Sequence, residues 1–285
     1  MRKRLTVSLL IAAALGMLAL VAPAAAGATG SPAYYLSLGD SLAQGVQPTS
    51  TGQSVITDQG YADDLYSLER LQVRGLRLEK LGCPGETTTS MIHGGVCDGA
   101  YAPFADQLDA AVAFIETHDV ALITIDIGAN NVDDCISGGG ISIPCVAGGF
   151  AEAQSDLPTI LARLRAAAPG APIVGMSYYD PFLAAWLQGP DGQALAAKSL
   201  QLTIAYNGLL EALYGAASVP VADVESAFQT RNQSTIPIVQ LPVDVAAVCT
   251  LTWMCAPAPV GPNIHANALG YWVMASAFAG TIGRI

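Results

Sequence analysis

The sequence predicts an α/β fold in which a five-stranded parallel sheet is covered by helices on both faces. Two observations carry this. Five short apolar segments alternate along the chain with longer segments of helical spacing. The first apolar segment, 34–38, is also uncharged throughout, as a strand buried on both faces requires. A parallel neighbour needs a crossover that returns the chain to the same end of the sheet, and a helix is the usual crossover.

In chain order, the strands are read at residues 34–38, 76–81, 120–127, 172–177 and 219–222. The helical segments lie between and after them. Residues 61–73 carry Leu65, Leu68 and Leu71 at near-helical spacing, and 104–117 is similar. Residues 150–168 are alanine-rich and stop at Pro169 and Gly170. Residues 194–214 and 266–282 complete the set. Pro158 lies within the third helix, which is expected to start or kink there, because proline lacks the N–H and crowds the preceding turn. No internal repeat or long linker divides the chain, so residues 27–285 are expected to form a single domain.

Residues 1–26 have the layout of a removed secretory signal. Arg2, Lys3 and Arg4 precede a mostly apolar run over 5–21, and Ala24, Ala25 and Ala26 offer a small-residue cleavage site. The rival is an uncleaved anchor, since about 20 apolar residues span a bilayer. The remainder has no second run of that kind, and no stable membrane insertion is expected once the signal is gone. The chain carries 12 basic and 23 acidic residues, a net charge of −11 that becomes more negative when the signal is lost. Such a surface repels nucleic acid and anionic membrane and suits a secreted, extracellular protein. A monomer is the expectation.

Six cysteines fall into three close pairs along the chain: Cys83 with Cys97, Cys135 with Cys145, and Cys249 with Cys255. Many connectivities are open; neighbour pairing is the simplest, and export favours disulfides. A metal site is the alternative, but C-x-x-C and H-E-x-x-H are absent and the chain has three histidines. Asp133 and Asp134 read as solvated loop charges, so neither metal nor cofactor is expected.

The first strand ends in Leu38-Gly39-Asp40-Ser41. Ser41 could cap a helix. It could equally be a nucleophile, because parallel sheets bind ligands beyond the carboxyl ends of their strands. A serine nucleophile needs a base, and histidine suits neutral pH. His118 falls just before the third strand, at the wrong end of the sheet. His93 lies between Cys83 and Cys97 and reads as structural. His265 enters the last helix from a loop that can reach a strand end. Acyl transfer also needs donors for an oxyanion. Candidates are the N–H of Ser41, at the start of a helix expected to follow the first strand, the N–H of Gly85 after the second, and the amide of Asn130 after the third. Asp40 is expected to fix the turn that exposes Ser41.

Four blocks, "LSLGDSLAQG", "LGCPGETTTSM", "DIGANNVDD" and "NIHANALGYWVMA", stand in this order from the first strand to the last helix. Here the sequence resembles the SGNH or GDSL hydrolases, serine esterases and lipases, and in particular their secreted actinobacterial branch, whose members often carry three disulfides. The resemblance implies a three-layer α/β/α, flavodoxin-like sandwich. It also implies Ser41 as nucleophile, His265 as base, and Ser41, Gly85 and Asn130 as the oxyanion hole, acting on a small-molecule or lipid ester. Two positions depart from the family. Asn131 stands where it commonly has aspartate. Pro262 stands where an aspartate usually orients the histidine. The Pro262 carbonyl is then expected to orient His265, with a distant acid such as Asp180 or Asp223 as the rival. Residues 178–190 bring Phe182, Leu183, Trp186 and Leu187 either to the active-site rim or onto the core. A carbohydrate acetylesterase and a non-catalytic binding protein on the same fold are the alternatives. G-x-S-x-G, S-x-x-K, P-loop and G-x-G-x-x-G patterns are absent.

Overall fold

A computed structural model describes residues 32–97 and 99–283. The expected signal over 1–26 lies outside the described residues. Five parallel strands form the sheet: β1 (Ala33–Gly39), β2 (Arg77–Lys80), β3 (Asp119–Asp126), β4 (Ile173–Met176) and β5 (Val221–Ala222). Their spatial order is β2-β1-β3-β4-β5. The order reverses between β1 and β3, where the ends of the two strands part and leave room for a ligand. Register places Gly39 beside Asp126, so the residues that follow β1 and β3 emerge together.

The helices are α1 (Tyr61–Glu69), α2 (Thr88–His93), α3 (Gln107–Thr117), α4 (Ile143–Ala167), α5 (Pro190–Ala216), α6 (Val224–Ala227), α7 (Val243–Leu251) and α8 (Ala268–Ile282). One layer packs α1 on α8; the other packs α3 on α4 and α4 on α5. Leu36, Leu38, Leu122 and Ile125 of the central strands are fully buried among Leu108 of α3, Leu161 of α4 and Phe278 of α8. Tyr61 stacks on Phe278 with ring centres 4.8 Å apart.

Two expectations about helices are corrected. Ser41 does not open a helix. Residues 41–45 form successive turns, because Leu42 N–H donates to the Asp40 side chain, Gly45 N–H to Leu42 O and Val46 N–H to Ser41 O. Nor does Pro158 break or start α4, which runs through it from Ile143. The proline is exposed, so the carbonyl it leaves without a partner can be hydrated. Elsewhere the irregular stretches hold short hairpin ribbons, among them Gln47–Pro48 with Ser54–Val55 and Ile136–Ser137 with Gly140–Ile141.

The cysteines pair Cys83–Cys97, Cys135–Cys145 and Cys249–Cys255. The first bridge ties the loop after β2 to the loop after α2. The second encloses the ribbon before α4. The third joins the end of α7 to the loop that leads to His265. A disulfide closing a loop contributes roughly 2–4 kcal/mol. Among the described residues no helix is long and apolar enough to cross a membrane.

Candidate active site

Gly39 ends β1 at φ +128°, and a Cβ there would lie 2.0 Å from Asp126 O. Only glycine lets the two strands close this tightly at the switch point. Beyond it the chain is pinned at three places: Asp40 N–H donates to Asp126 O (3.1 Å), Leu42 N–H to Asp40 Oδ1 (2.9 Å) and Ala43 N–H to Asp126 Oδ2 (3.2 Å). The Asp40 contact is an Asx turn, and it holds Ser41 at the apex. Tyr61 donates to Asp126 Oδ1 at 2.6 Å. Burial, and then the charge of Asp40, keeps Asp126 well above the ordinary carboxylate range.

The loop after β2 is fastened to the same place. Its Glu86 is buried and accepts from Ser90 Oγ (2.5 Å), Tyr101 OH (3.1 Å) and Gln107 Nε2 (3.0 Å). Gln107 also bonds both peptide groups of Gly39. On the other side Asn130, in the turn after β3, donates one amide hydrogen to Glu86 O at 2.9 Å. Asn131 accepts from Thr88 N–H (3.1 Å) and donates to Thr88 Oγ1 (3.0 Å) and Glu152 (2.9 Å). An asparagine suits this position because it both accepts and donates. Gly85 occupies the third place of a tight turn closed by Glu86 N–H to Cys83 O, with φ +87°.

His265 is held by its own loop. Trp253 N–H donates to His265 O at 3.0 Å. The ring Nδ1 lies 2.7 Å from Asn263 Oδ1, and the main-chain N–H of His265 donates to that oxygen at 3.1 Å. Asn263 thus takes the place expected for the Pro262 carbonyl: its side chain, two residues before the histidine, folds back and accepts from both N–H groups of His265. The rival acids are engaged elsewhere. Asp180 accepts from Ser199 Oγ (2.8 Å) and Phe182 N–H (2.9 Å), and Asp223 caps α6 through Ser226 N–H (2.9 Å). Burial lowers the His265 imidazole to about 4, so the ring is neutral at neutral pH.

Ser41, Asn130 and His265 line one pocket, whose walls include Leu42, Val132, Val146, Phe150 and Phe182. Gly85 is not among the lining residues. Asp133 is, contrary to its reading as a solvated loop charge; burial, with smaller contributions from Asp40 and Asp180, pushes its carboxyl up to about 8. Of the apolar stretch after β4, Phe182 faces the pocket. Leu183 and Trp186 pack in a separate cluster with Leu200 and Val248, and Leu187 is exposed. His93 and His118 are exposed, and His118 stacks on Phe114. Among the described residues no group of three or more His, Cys, Asp or Glu side chains could hold a metal.

Sequence reasoning missed Asn263, Glu86, Gln107 and Asp133. Asn263 left a signal, since it sits within the histidine block and carries a side-chain acceptor. The others work through contacts between distant segments and left none.

Solved structures with this arrangement of elements include a phospholipase A1 from Streptomyces albidoflavus NA297 (TM-score 0.58, 17% identity, 88% of this chain and 100% of that chain). They also include a lipase from a goat rumen metagenome (TM-score 0.54, 16% identity, 88% and 98%). An extracellular lipase from Streptomyces rimosus gives a TM-score of 0.51 at 20% identity, over 86% and 99%. At these identities the likeness is one of fold. No curated protein matches the sequence. The family model of the GDSL-like lipases/acylhydrolases matches residues 37–273, a span that takes in the Ser41 turn, the Glu86 loop, the Asn130 turn and the His265 loop. A match over that much of the sequence shows that the chain belongs to the GDSL-like lipase/acylhydrolase family.

Proposed function

We propose that this protein is a secreted serine esterase or lipase that hydrolyses carboxylic esters through an acyl-enzyme on Ser41. The observation that carries the reading is the meeting of Ser41, Asn130 and His265 in one apolar pocket. His265 Nε2 removes the hydroxyl proton as Ser41 Oγ bonds to the ester carbonyl carbon. The carbonyl oxygen becomes an oxyanion, met by the N–H groups of Ser41 and Gly85 and the remaining amide hydrogen of Asn130. The C–O bond then breaks, and the imidazolium gives its proton to the leaving alcohol. Water, deprotonated by the same imidazole, cleaves the acyl-enzyme and restores Ser41. No cofactor enters these steps.

The apolar walls favour an acyl chain longer than acetyl, which speaks for lipid or chromogenic fatty esters over acetylated carbohydrate. Secretion, with cleavage after Ala26 leaving residues 27–285 as the working domain, is supported by the layout of residues 1–26 and by three disulfides. The disulfides also support the actinobacterial branch. A fluorophosphonate is expected to label the protein once, at Ser41, with Ser41→Ala abolishing both labelling and hydrolysis of p-nitrophenyl esters. Labelling of a different serine would overturn the mechanism.

A further inference from the structure

A histidine that acts as base through Nε2 needs its proton on Nδ1, held there by an acceptor. A carboxylate can only accept. An asparagine amide can turn over and offer N–H instead, which drives the imidazole into the other tautomer with Nε2 protonated. The main-chain N–H of His265 opposes that here. It points at the same Asn263 atom as Nδ1, at 3.1 Å, and an N–H is met by oxygen. The opposite end of the amide, Nδ2, lies 3.0 Å from the hydroxyl of Ser54, a residue 209 positions away. Ser54 belongs to the ribbon whose turn contains Gly52, and a Cβ on Gly52 would lie 2.0 Å from Pro259 O. Glycine at that point lets the ribbon lie against the histidine loop.

We propose that Asn263 is the positioning residue for His265, standing in for the family's aspartate, with its amide oriented by the main-chain N–H of His265 and its side chain tethered at the far end by Ser54. The proposal rests on the reading of Ser41 as nucleophile and His265 as base. Asn263 supplies orientation and a dipole, not a counter-charge. Among the described residues no carboxylate forms an ion pair with His265. The Nδ1 proton of the imidazolium formed during attack meets the amide oxygen of Asn263.

The test measures kcat, KM and the pH profile of kcat/KM on a p-nitrophenyl ester for the wild type, Asn263→Ala, Asn263→Asp and Ser54→Ala. It adds the histidine tautomer by ¹⁵N NMR. Asn263→Ala is expected to lower kcat about a hundredfold or more with KM little changed. Ser54→Ala is expected to lower kcat less than Asn263→Ala does and to keep the Nδ1-protonated tautomer, because the main-chain N–H of His265 still meets the amide oxygen. Asn263→Asp is expected to keep kcat within about tenfold and to move the acidic limb of kcat/KM to higher pH, because a carboxylate favours the imidazolium. A folded Asn263→Ala with kcat within about threefold of wild type would overturn the proposal. So would a wild-type His265 protonated on Nε2. If Asn263→Ala does not fold, an unmoved acidic limb in Asn263→Asp overturns it equally. Failure of the underlying reading looks different: Ser41→Ala or His265→Ala would keep activity.

Discussion

Gln107 clasps the peptide groups of Gly39 at both ends: its Oε1 accepts from Gly39 N–H at 2.7 Å and its Nε2 donates to Gly39 O at 2.9 Å. The same Nε2 reaches Glu86 at 3.0 Å. One side chain on α3 thereby fixes the strand that presents Ser41 and the loop that carries Gly85 relative to each other.

Gln107→Leu leaves the buried Gly39 N–H and the Glu86 carboxylate without this partner. A buried group left unpaired costs about 1–3 kcal/mol. The variant is expected to melt several degrees lower and to lose kcat more than it raises KM. Thermal unfolding and steady-state kinetics check this together. An unchanged kcat in a destabilised variant would show that the clasp is structural only.

Asp180 and Asp223, the rival acids, bond to other groups, and so does Asp244 in α7. Asp180→Asn, Asp223→Asn and Asp244→Asn are each expected to leave kcat/KM within roughly tenfold, about 1.4 kcal/mol of transition-state stabilisation. Asp244 accepts from Val245 N–H at 2.7 Å, a contact an asparagine oxygen can keep. His265→Ala is expected to remove nearly all activity. A folded aspartate variant that loses about a thousandfold would place a carboxylate in the mechanism.

Burial lowers His265 to about 4. In the proposed mechanism the base works when neutral, so its active form persists as pH falls until the ring takes up a proton near that value. The acidic limb of kcat/KM is expected near pH 4, well below the ordinary histidine value of about 6.5. A limb centred at or above the ordinary value would show that a negative group stabilises the imidazolium in solution.

Asp133 is neutral below about 8 and charged above it. Ionisation would place a carboxylate in the apolar pocket, where it opposes binding of an apolar acyl chain. KM for longer p-nitrophenyl esters is expected to rise above that pH in the wild type and to stay level in Asp133→Asn. A matching rise in the variant would locate the titrating group elsewhere.

The order of elements, and the strand ends that carry Ser41 and Asn130, are legible in the sequence. Apolar runs and helical spacing are set by near neighbours, so β1 is expected at 34–38 and found at Ala33–Gly39. The approach of Ser41 and Asn130 follows from the same pattern, because a parallel sheet brings strand ends to one edge. The clasp of Gln107 on Gly39, the seat of Asp133 in the pocket and the contact of Ser54 with Asn263 are not legible. These pairs lie 68 and 209 residues apart, or depend on walls built by several elements, and their contact distances arise only when the layers close. The partner of His265 shows the division most clearly. The sequence leaves the Pro262 carbonyl and a distant acid as rivals; the folded histidine loop decides for Asn263, whose amide presents its oxygen because the main-chain N–H and the ring Nδ1 of His265 both face it.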